Sequence, residues 1–432
     1  MEITILVLLV SFVLLLFINV PISICIGVAT LLTMLFTVDA GPALTTIAQR
    51  MAGGIESFSL LAIPFFILSG SLMGQGGIAR RLINFAKVMV GMLPGGLAYV
   101  NIMSCALFGA ISGSAVAATS AIGGFMIPVM NKEGYDKNFN AAVTVASSTS
   151  GMLIPPSNIL IVYSLASGGV SIAALFIAGY LPGILLAVSL MIVCGIWAKL
   201  KGYPVGKRTG LRESIRIAID AIPALFLIVL IIGGIVGGFF TATEASAIAV
   251  LYSLLLSVGL YREVKVKQLP QILVQSAVTT AIVMFLIGTS TAMSWILSYE
   301  NIPQAISAAL IQLSDNPVII LLTINLILLV VGIFMDMTPA VLIFTPIFLP
   351  VVAELGISPL HFGIMMVLNL CIGLCTPPVG SVLFVGASIA KTSIANLVKP
   401  LLPMYAAMFV VLMLVTYIPF LSEGLPRFFG LY

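Results

Sequence analysis

Long apolar runs recur along the whole of this chain, and very few charges interrupt them. A helix needs about 20 apolar residues to cross the hydrocarbon core of a bilayer. Of the 432 residues, 61% are hydrophobic and only 7% are charged. Soluble domains carry about 25% charged residues, so a water-soluble fold could not cover this much apolar surface. We therefore predict an all-α, polytopic membrane protein.

The apolar segments comprise ten candidate spans and two further stretches that small and polar residues interrupt midway. The first span follows only Met1 and Glu2, without the basic region and cleavage site of a secretory signal, so we expect a retained helix. The cysteines lie in apolar stretches without a CxxC pair and are expected to fill the core. The predicted spans are 3–18, 21–37, 57–76, 137–167, 171–198, 221–238, 245–261, 276–298, 362–391 and 400–421, and the two interrupted stretches are 96–130 and 318–352.

Positive charge sets the predicted orientation. The basic cluster between 199 and 216 is expected in the cytoplasm, because short cytoplasmic loops are enriched in Lys and Arg. Threading outward from it places every Lys and Arg except Arg50 and Arg427 on the same side. This requires 96–130 to enter and leave from the cytoplasm and 318–352 to do so from outside, with both termini outside. The cluster comprises Lys199, Lys201, Lys207, Arg208, Arg212 and Arg216.

The two halves of the chain repeat at an offset of 222 positions. Because the charge pattern gives the halves opposite sidedness, we predict an inverted-topology repeat, in which transporters bind substrate and ions near the midplane. The matching pairs are Pro128 and Pro350, Gly134 and Gly356, Gly151 and Gly373, Pro155 and Pro377, and Pro156 and Pro378. The predicted first repeat, 1–200, comprises scaffold helices 1–95, a re-entrant hairpin 96–130, a broken helix 137–167 and a closing helix 171–198. A cytoplasmic linker 201–216 precedes the second repeat, 217–432, with scaffold helices 221–317, hairpin 318–352, broken helix 362–391 and closing helix 400–421.

Each half is predicted to contain two breaks at membrane depth. A Pro-Pro pair must end one helix and begin another, because two adjacent prolines remove backbone donors and clash with the preceding turn. Non-helical backbone at that depth is tolerated only where protein or a watery cavity covers it. The free carbonyls suit a hard cation, and the half-helix N-termini suit an anion. Ser114 and Thr338 are predicted to cap the second helices of the hairpins, the latter with Pro339 as first helical residue.

Three ionisable residues were weighed as candidates for function. Asp336 is expected to be functional, because an ionisable group at mid-membrane is costly to keep there. His361, near a segment end, is expected to be interfacial. Glu244 is expected near the outer boundary, where it would only cap the helix that follows.

Four motifs resemble the large membrane subunit of TRAP (tripartite ATP-independent periplasmic) transporters. They are FGAISGSAVAATS at 108–120, GMLIPPSN at 151–158, GFFTATEA at 238–245 and GLCTPPVG at 373–380, and the resemblance covers essentially the whole chain. It implies a sodium-driven importer of organic acids in the bacterial inner membrane, with an elevator-type ion-transporter fold. It also implies a small four-helix membrane subunit and a periplasmic substrate-binding protein as partners. Sialic acid and C4-dicarboxylates are the substrate candidates, and no cofactor is expected beyond the coupling ion.

We expect sodium coupling because a proton relay needs a chain of titratable groups, and Asp336 is the only such group predicted at depth. One sodium site would use the first hairpin turn and an extended strand at 147–151, and the other the second turn and a strand at 375–377. The predicted sodium-binding residues are Ser112, Gly113, Ser114, Ser147, Ser150, Gly151, Asp336, Thr338, Cys375, Thr376 and Pro377. The predicted substrate-binding residues are Ser114, Ser148, Thr149, Ser150, Asn158, Thr338 and Thr376. In related divalent-anion symporters the hairpin turn reads Ser-Asn-Thr, whereas Gly113 replaces the Asn here.

Other functions remain as alternatives. A stand-alone divalent-anion/sodium symporter would need no partner proteins. An intramembrane protease would need a Ser–His pair or two membrane carboxylates, which the positions of His361 and Asp336 disfavour. A passive channel or scaffold subunit would not need an inverted repeat with broken segments. We therefore predict a transporter subunit that is not an enzyme and does not bind nucleic acid.

Overall fold

The computed structural model describes residues 2–18, 20–206, 210–314 and 316–432, so Lys207 and Arg208 of the basic cluster lie outside the described residues. The described chain is helical throughout and contains no β-strand beyond one isolated bridge, between Pro94 and Val205. In the first half the helices are α1 Glu2–Phe17, α2 Ile22–Thr37, α3 Ala40–Ile55, α4 Ala62–Gln75, α5 Ile78–Val90, α6 Gly96–Ser112, α7 Ala115–Lys132, α8 Lys137–Ser148, α9 Ser150–Leu153, α10 Asn158–Ala166 and α11 Ile172–Lys201. In the second half they are α12 Leu211–Val236, α13 Ala242–Leu254, α14 Leu269–Tyr299, α15 Ile302–Leu313, α16 Pro317–Phe334, α17 Met337–Glu354, α18 Pro359–Gly373, α19 Ser381–Ala390, α20 Ile394–Tyr417 and α21 Phe420–Phe428.

The helices confirm the predicted all-α, polytopic membrane fold. Within the described residues, eight helices are long and apolar enough to span a membrane, and nine if the bent pair 137–153 and 158–166 counts as one span. α12 begins at Leu211, inside the segment 201–216 that was predicted as a linker. It can begin there because Ala218, Ala221 and Ile222 already continue the apolar pattern of the span toward that end.

Both interrupted stretches form the predicted helical hairpins. α6 and α7 are joined only by Gly113 and Ser114, and α16 and α17 only by Met335 and Asp336. The two ends of the first hairpin meet the same loop: Pro94 pairs with Val205, and the ring of Tyr135 stacks on Tyr203 at 4.3 Å. At the second hairpin, Tyr417 donates a 3.0 Å hydrogen bond to the carbonyl of Val318, and residues 317–318 and 356–358 line one cleft. Each hairpin therefore enters and leaves the bundle at one end.

Both Pro-Pro pairs break a helix, also as predicted. Pro155 and Pro156 separate α9 from α10, with a bend of 52° between the two helical parts, and Pro377 and Pro378 separate α18 from α19. Both Pro–Pro bonds are cis.

Glycine pairs form the crossings between hairpins and broken helices. A Cβ on Gly151 would lie 2.4 Å from Cα of Gly109, and a Cβ on Gly373 would lie 2.5 Å from Cα of Gly332. Only glycine permits backbones to approach this closely. The same contact therefore holds the hairpin against the broken helix in both halves, as an inverted repeat requires.

The helices form two groups. The scaffold consists of α1–α5 and α12–α15, in which α4 packs on α13 and α14 packs on α2, α3 and α4. The inner body consists of α6–α11 and α16–α21, where the hairpins pack around the broken helices. The two groups meet chiefly where α5 packs on α6, where α14 and α15 contact α17, and where α4 contacts α6.

One end of the bundle, termed here the basic face, carries most of the Lys and Arg side chains. Arg81 pairs with Asp220 at 3.2 Å and with Glu263 at 3.4 Å, which ties α5 to α12 and to the loop after α13. In the inner body, Lys137 Nζ donates to the carbonyl of Lys391 at 2.8 Å. These contacts agree with the predicted common side for the basic residues, and the cytoplasmic location of that side stays a prediction.

Candidate functional site

A cavity of 670 Å³ lies between the scaffold and the inner body, where the two hairpin turns approach each other. Its walls come from α4 and α14 of the scaffold and from α7, α10 and α17 of the inner body. The cavity brings together residues that are far apart in the sequence but that were predicted to form one site. These are Ser112, Gly113, Ser114, Asn158, Asp336 and Thr338.

The first hairpin turn is built by Gly113 and Ser114. Gly113 has a φ of +62°, a conformation that glycine and asparagine adopt most readily. Its Cα lies beside Asn158, because an added Cβ would be 3.2 Å from Asn158 Nδ2. Ser114 caps α7 as predicted, since its Oγ accepts a 3.2 Å hydrogen bond from the amide of Ala117.

The second hairpin turn differs from the prediction. Asp336, not Thr338, occupies the N-cap position of α17, and Thr338 already lies in the first turn of the helix. The prediction was wrong because Asp is an equally good capping residue and the chain becomes helical two residues earlier. The Asp336 side chain is exposed and lines the cavity.

Three helix N-termini meet at this cavity. α7 begins at Ala115, α10 at Asn158 and α17 at Met337, and all three residues line it. The first amides of a helix have no partner within the helix and carry partial positive charge, so they attract anions. Within the part of the chain that the structure describes, no Lys, Arg or His side chain lines the cavity. An anion in this cavity would therefore be held by backbone amides, hydroxyls and the Asn158 amide.

The predicted residues of the first broken helix do not reach the cavity. Residues 147–151 are not the expected extended strand, because Ser147 and Ser148 lie in α8 and Ser150 and Gly151 in α9. The hydroxyl side chains of residues 147–150 are all buried, and each donates a hydrogen bond to a carbonyl three or four residues earlier. Gly151 fills the crossing with Gly109. The residues concerned are Ser147, Ser148, Thr149, Ser150 and Gly151.

The second break is also a turn and not the predicted strand. The amides of Cys375 and Thr376 donate to the carbonyls of Ile372 and Gly373, so α18 ends in tight turns. Thr376 Oγ1 donates to the carbonyl of Ile372 at 2.7 Å, and the carbonyl of Cys375 accepts a hydrogen bond from Tyr405 Oη. Cys375, Thr376 and Pro377 do not line the cavity, although Leu374, which precedes them, does.

The scaffold side of the cavity was missed by the sequence reasoning. Ser71 and Gln75, one turn apart on α4, and Thr279 on α14 line it. Gln75 lies at the end of α4 beside the basic face. The available signal was a polar pair, Ser71 and Gln75, spaced by four residues within an apolar span.

His361 and Glu244 can be placed relative to this site. His361 lies in the first turn of α18, at the predicted segment end, but it is covered by protein: it is 1% exposed, and its ring nitrogens lie 2.6 Å from Ser422 Oγ and 3.1 Å from the carbonyl of Thr416. It is buried because α21 folds back over the start of α18, which a single segment end does not reveal. Glu244 forms a capping box with Thr241, as expected. Within the described residues, no group of three His, Cys, Asp or Glu side chains could hold a metal ion.

Comparison with known proteins identifies the relatives of the chain. Residues 9–421 match the family described as "Tripartite ATP-independent periplasmic transporter, DctM component". The Salmonella typhimurium protein designated YgiK is 55% identical, over 97% of this chain and 96% of that protein. The C4-dicarboxylate TRAP transporter large permease protein DctM of Pseudomonas aeruginosa is 41% identical, over 94% of each chain. The sialic acid TRAP transporter large permease protein SiaM of Vibrio cholerae is 38% identical, over 96% of each.

Two further matches concern size and fold. The isethionate TRAP transporter permease protein DctMQ of Oleidesulfovibrio alaskensis is 41% identical over 97% of this chain, which spans 65% of that longer protein. Among solved structures, the Alcanivorax borkumensis YdaH transporter aligns with a TM-score of 0.63 over 92% of this chain and 90% of that one, at 14% identity. At this identity the likeness shows a shared fold.

Proposed function

The chain belongs to the family of DctM components, the large permeases of tripartite ATP-independent periplasmic transporters, and from that membership we propose that it imports an organic acid together with sodium. Like its relatives it is an integral, multi-pass protein of the bacterial inner membrane. The observation that carries the proposal is the cavity between the hairpin turns, where a carboxylate side chain and three helix N-termini meet.

The substrate in this proposal is a carboxylate anion held mainly by backbone amides. Three helix N-termini supply the attraction for negative charge in a cavity whose described lining residues include no basic side chain. The cavity volume of 670 Å³ is large enough for a small organic acid together with water. C4-dicarboxylates and sialic acid are the two candidates, since permeases named for each are close to 40% identical to this chain.

Sodium binding is proposed at the two hairpin turns. Carbonyls and hydroxyls at a helix break are neutral oxygen ligands of the kind a hard monovalent cation takes. The first turn offers Ser112 and Ser114, and the second adds the carboxylate of Asp336. Only the second site carries a full negative charge, so we expect it to bind sodium more tightly than the first.

An elevator movement would carry the inner body past the scaffold. The cavity lies on the seam between these two groups and extends to Gln75, beside the basic face. If that face is cytoplasmic, the structure represents an inward-facing state. Sliding of the inner body toward the opposite face would then expose the same hairpin turns to the outside.

Two partner proteins belong to the proposal: a small four-helix membrane subunit and a periplasmic substrate-binding protein. The family is described as tripartite, and the longer DctMQ relative has about a third of its length outside the region matched by this chain. The scaffold helices α12 and α14 also present apolar faces to their surroundings, where Val229, Val274, Val278 and Ile282 are more than half exposed. Lipid and a partner helix could each cover such a face.

Replacing Asn158 by alanine tests whether the cavity binds substrate. We expect Asn158→Ala to raise the KM for substrate uptake about tenfold, because a lost hydrogen bond to a charged ligand costs about 1.5–3 kcal/mol. The measurement is uptake into proteoliposomes at fixed sodium, at equal amounts of membrane-inserted protein. Asn396→Ala, an exposed asparagine on the basic face, is the matched control and should leave the KM unchanged. An unchanged KM for Asn158→Ala would place the substrate elsewhere.

A further inference from the structure

A second cavity, of 270 Å³, lies on the same seam between scaffold and inner body. Its scaffold wall carries four hydroxyl side chains, and its inner-body wall is apolar. The hydroxyl of Ser290 is buried and the other three are half-buried, and buried hydroxyls in proteins almost always face a hydrogen-bond partner. The hydroxyl side chains are those of Ser57, Ser290, Thr291 and Ser294, and the apolar wall includes Leu165, Leu342 and Pro346.

The second cavity continues the first along the same helices. On α14 the first cavity touches Thr279 and Val283, and the second touches Ser290 and Ser294. On α17 the order is the same, from residues 336–338 to Leu342 and Pro346, and α10 again follows this order. The seven residues from Val283 to Ser290 correspond to about 10 Å along the helix, at about 1.5 Å per residue.

Ser290 carries the buried hydroxyl of this wall. Its side chain is 2% exposed, and Oγ has no hydrogen-bond partner within the described residues. The neighbouring hydroxyls of Thr289 and Thr291 both donate to carbonyls of α14 itself, at 3.0 Å and 2.8 Å. A buried hydroxyl without a partner is unfavourable, so a polar group that reaches Ser290 in another state would be bound there.

The scaffold wall is held in place by close glycine contacts. A Cβ on Gly54 would lie 2.5 Å from Thr291 Oγ1, and a Cβ on Gly288 would lie 3.2 Å from the carbonyl of Met51. α3 and α14 are therefore tightly packed where the second cavity begins. In the proposed elevator movement, the inner-body wall of the second cavity therefore moves relative to this fixed scaffold wall.

We propose that Ser290 is a positioning residue that holds the second hairpin turn when the inner body stands at the opposite end of its movement. The inference rests on the elevator movement proposed above. A slide of about 10 Å along α14 would carry residues 336–338 away from Thr279 and Val283 and place them beside Ser290. The Ser290 hydroxyl then bonds to oxygens of the turn, and the apolar residues Leu342 and Pro346 move beyond it.

A paired substitution on α14 tests the role of the hydroxyl. Ser290→Ala is expected to lower the rate of uptake about fivefold at equal membrane abundance, the effect of one lost neutral hydrogen bond in one end state. Ser276→Ala is the control, because Ser276 is also a buried serine on α14 without a partner in the described structure but lines neither cavity. Equal uptake by both variants would overturn the proposed role.

A cysteine pair gives a readout that a merely structural role would not change. In the assembled transporter, Ser290→Cys with Met337→Cys is expected to form a disulfide that stops uptake until it is reduced. Thr279→Cys with Met337→Cys reports the arrangement described here, and Met337→Cys alone controls for the native cysteines, all of which are buried. If only the Thr279 pair forms, with and without sodium and substrate, the turn never reaches Ser290. That outcome would leave sodium-driven uptake by the parent protein intact, whereas failure of the parent to take up substrate would contradict the proposed function itself.

Discussion

Removal of the charge on Asp336 is expected to raise the sodium concentration for half-maximal uptake at least about tenfold, equivalent to about 1.4 kcal/mol. Among the described residues, Asp336 carries the only charged side chain that lines the cavity. Two unit charges 4 Å apart interact by about 4 kcal/mol at an effective dielectric constant of 20, so even a partly screened contact exceeds the predicted effect. The variant is Asp336→Asn, which keeps the shape of the side chain and removes its charge.

The measurement for Asp336→Asn is uptake as a function of sodium at saturating substrate. Asp39→Asn, at an exposed acidic residue that precedes α3, is the matched control and should leave the sodium dependence unchanged. A lower sodium requirement in Asp336→Asn, or none of the expected change, would show that the carboxylate does not contribute to an ion site.

A larger side chain at the glycine crossings is expected to abolish folding of the inner body. In Gly151→Leu the new Cβ would lie 2.4 Å from the backbone of Gly109, and backbone atoms of two packed helices cannot move aside as a flexible side chain can. Overpacking usually costs about 1–3 kcal/mol where side chains can adjust, so a backbone clash should exceed that range. We expect almost no folded protein in the membrane.

Membrane abundance and detergent-extracted monodispersity measure this effect. Gly373→Leu should fail in the same way, because it faces Gly332 at the equivalent crossing of the second half. Gly124→Leu is the control: it is an exposed position on α7, and an added Cβ would meet nothing within 4 Å. Normal abundance of Gly151→Leu would mean that the hairpin does not pack on the broken helix as described.

Much of the fold could be predicted because its main features have local causes. Two adjacent prolines break a helix wherever they occur, and both pairs do so here. The first hairpin turn falls where small residues interrupt an apolar stretch, and the second falls at Asp336. The positive φ of Gly113 explains why glycine occupies that position. The positions of the Lys and Arg residues then predicted opposite orientations for the two halves, because short basic loops lie on one side of a membrane.

Site residues were harder to predict because packing decides which hydroxyls face a cavity. Residues 147–151 read as a polar, irregular strand, yet they lie at the centre of the inner body, where Cys371 Sγ is 3.5 Å from the carbonyl of Thr149. There the hydroxyls bond to their own helix, a state that serine and threonine reach in any buried helix. Ser71 and Thr279 went unnoticed for the converse reason, since single hydroxyls in apolar spans give no sign of the wall they form.

The N-terminus of α17 shows where rules based on local sequence fail. Asp336 and Thr338 are both good capping residues, two positions apart, and the sequence favoured Thr338 because Pro339 suits the first position of a helix. The chain instead becomes helical at Met337, which is 2% exposed. Burial of that apolar side chain accounts for the earlier start.

Sodium-driven uptake by the assembled transporter is the most direct test of the function proposed here. The chain, the small membrane subunit and the binding protein are reconstituted in proteoliposomes with labelled C4-dicarboxylate or sialic acid, at fixed pH. An inward sodium gradient should drive accumulation, whereas a proton gradient without sodium should not, and the chain alone should take up little. Accumulation driven by protons alone would contradict sodium coupling, and full uptake by the isolated chain would instead identify a stand-alone symporter.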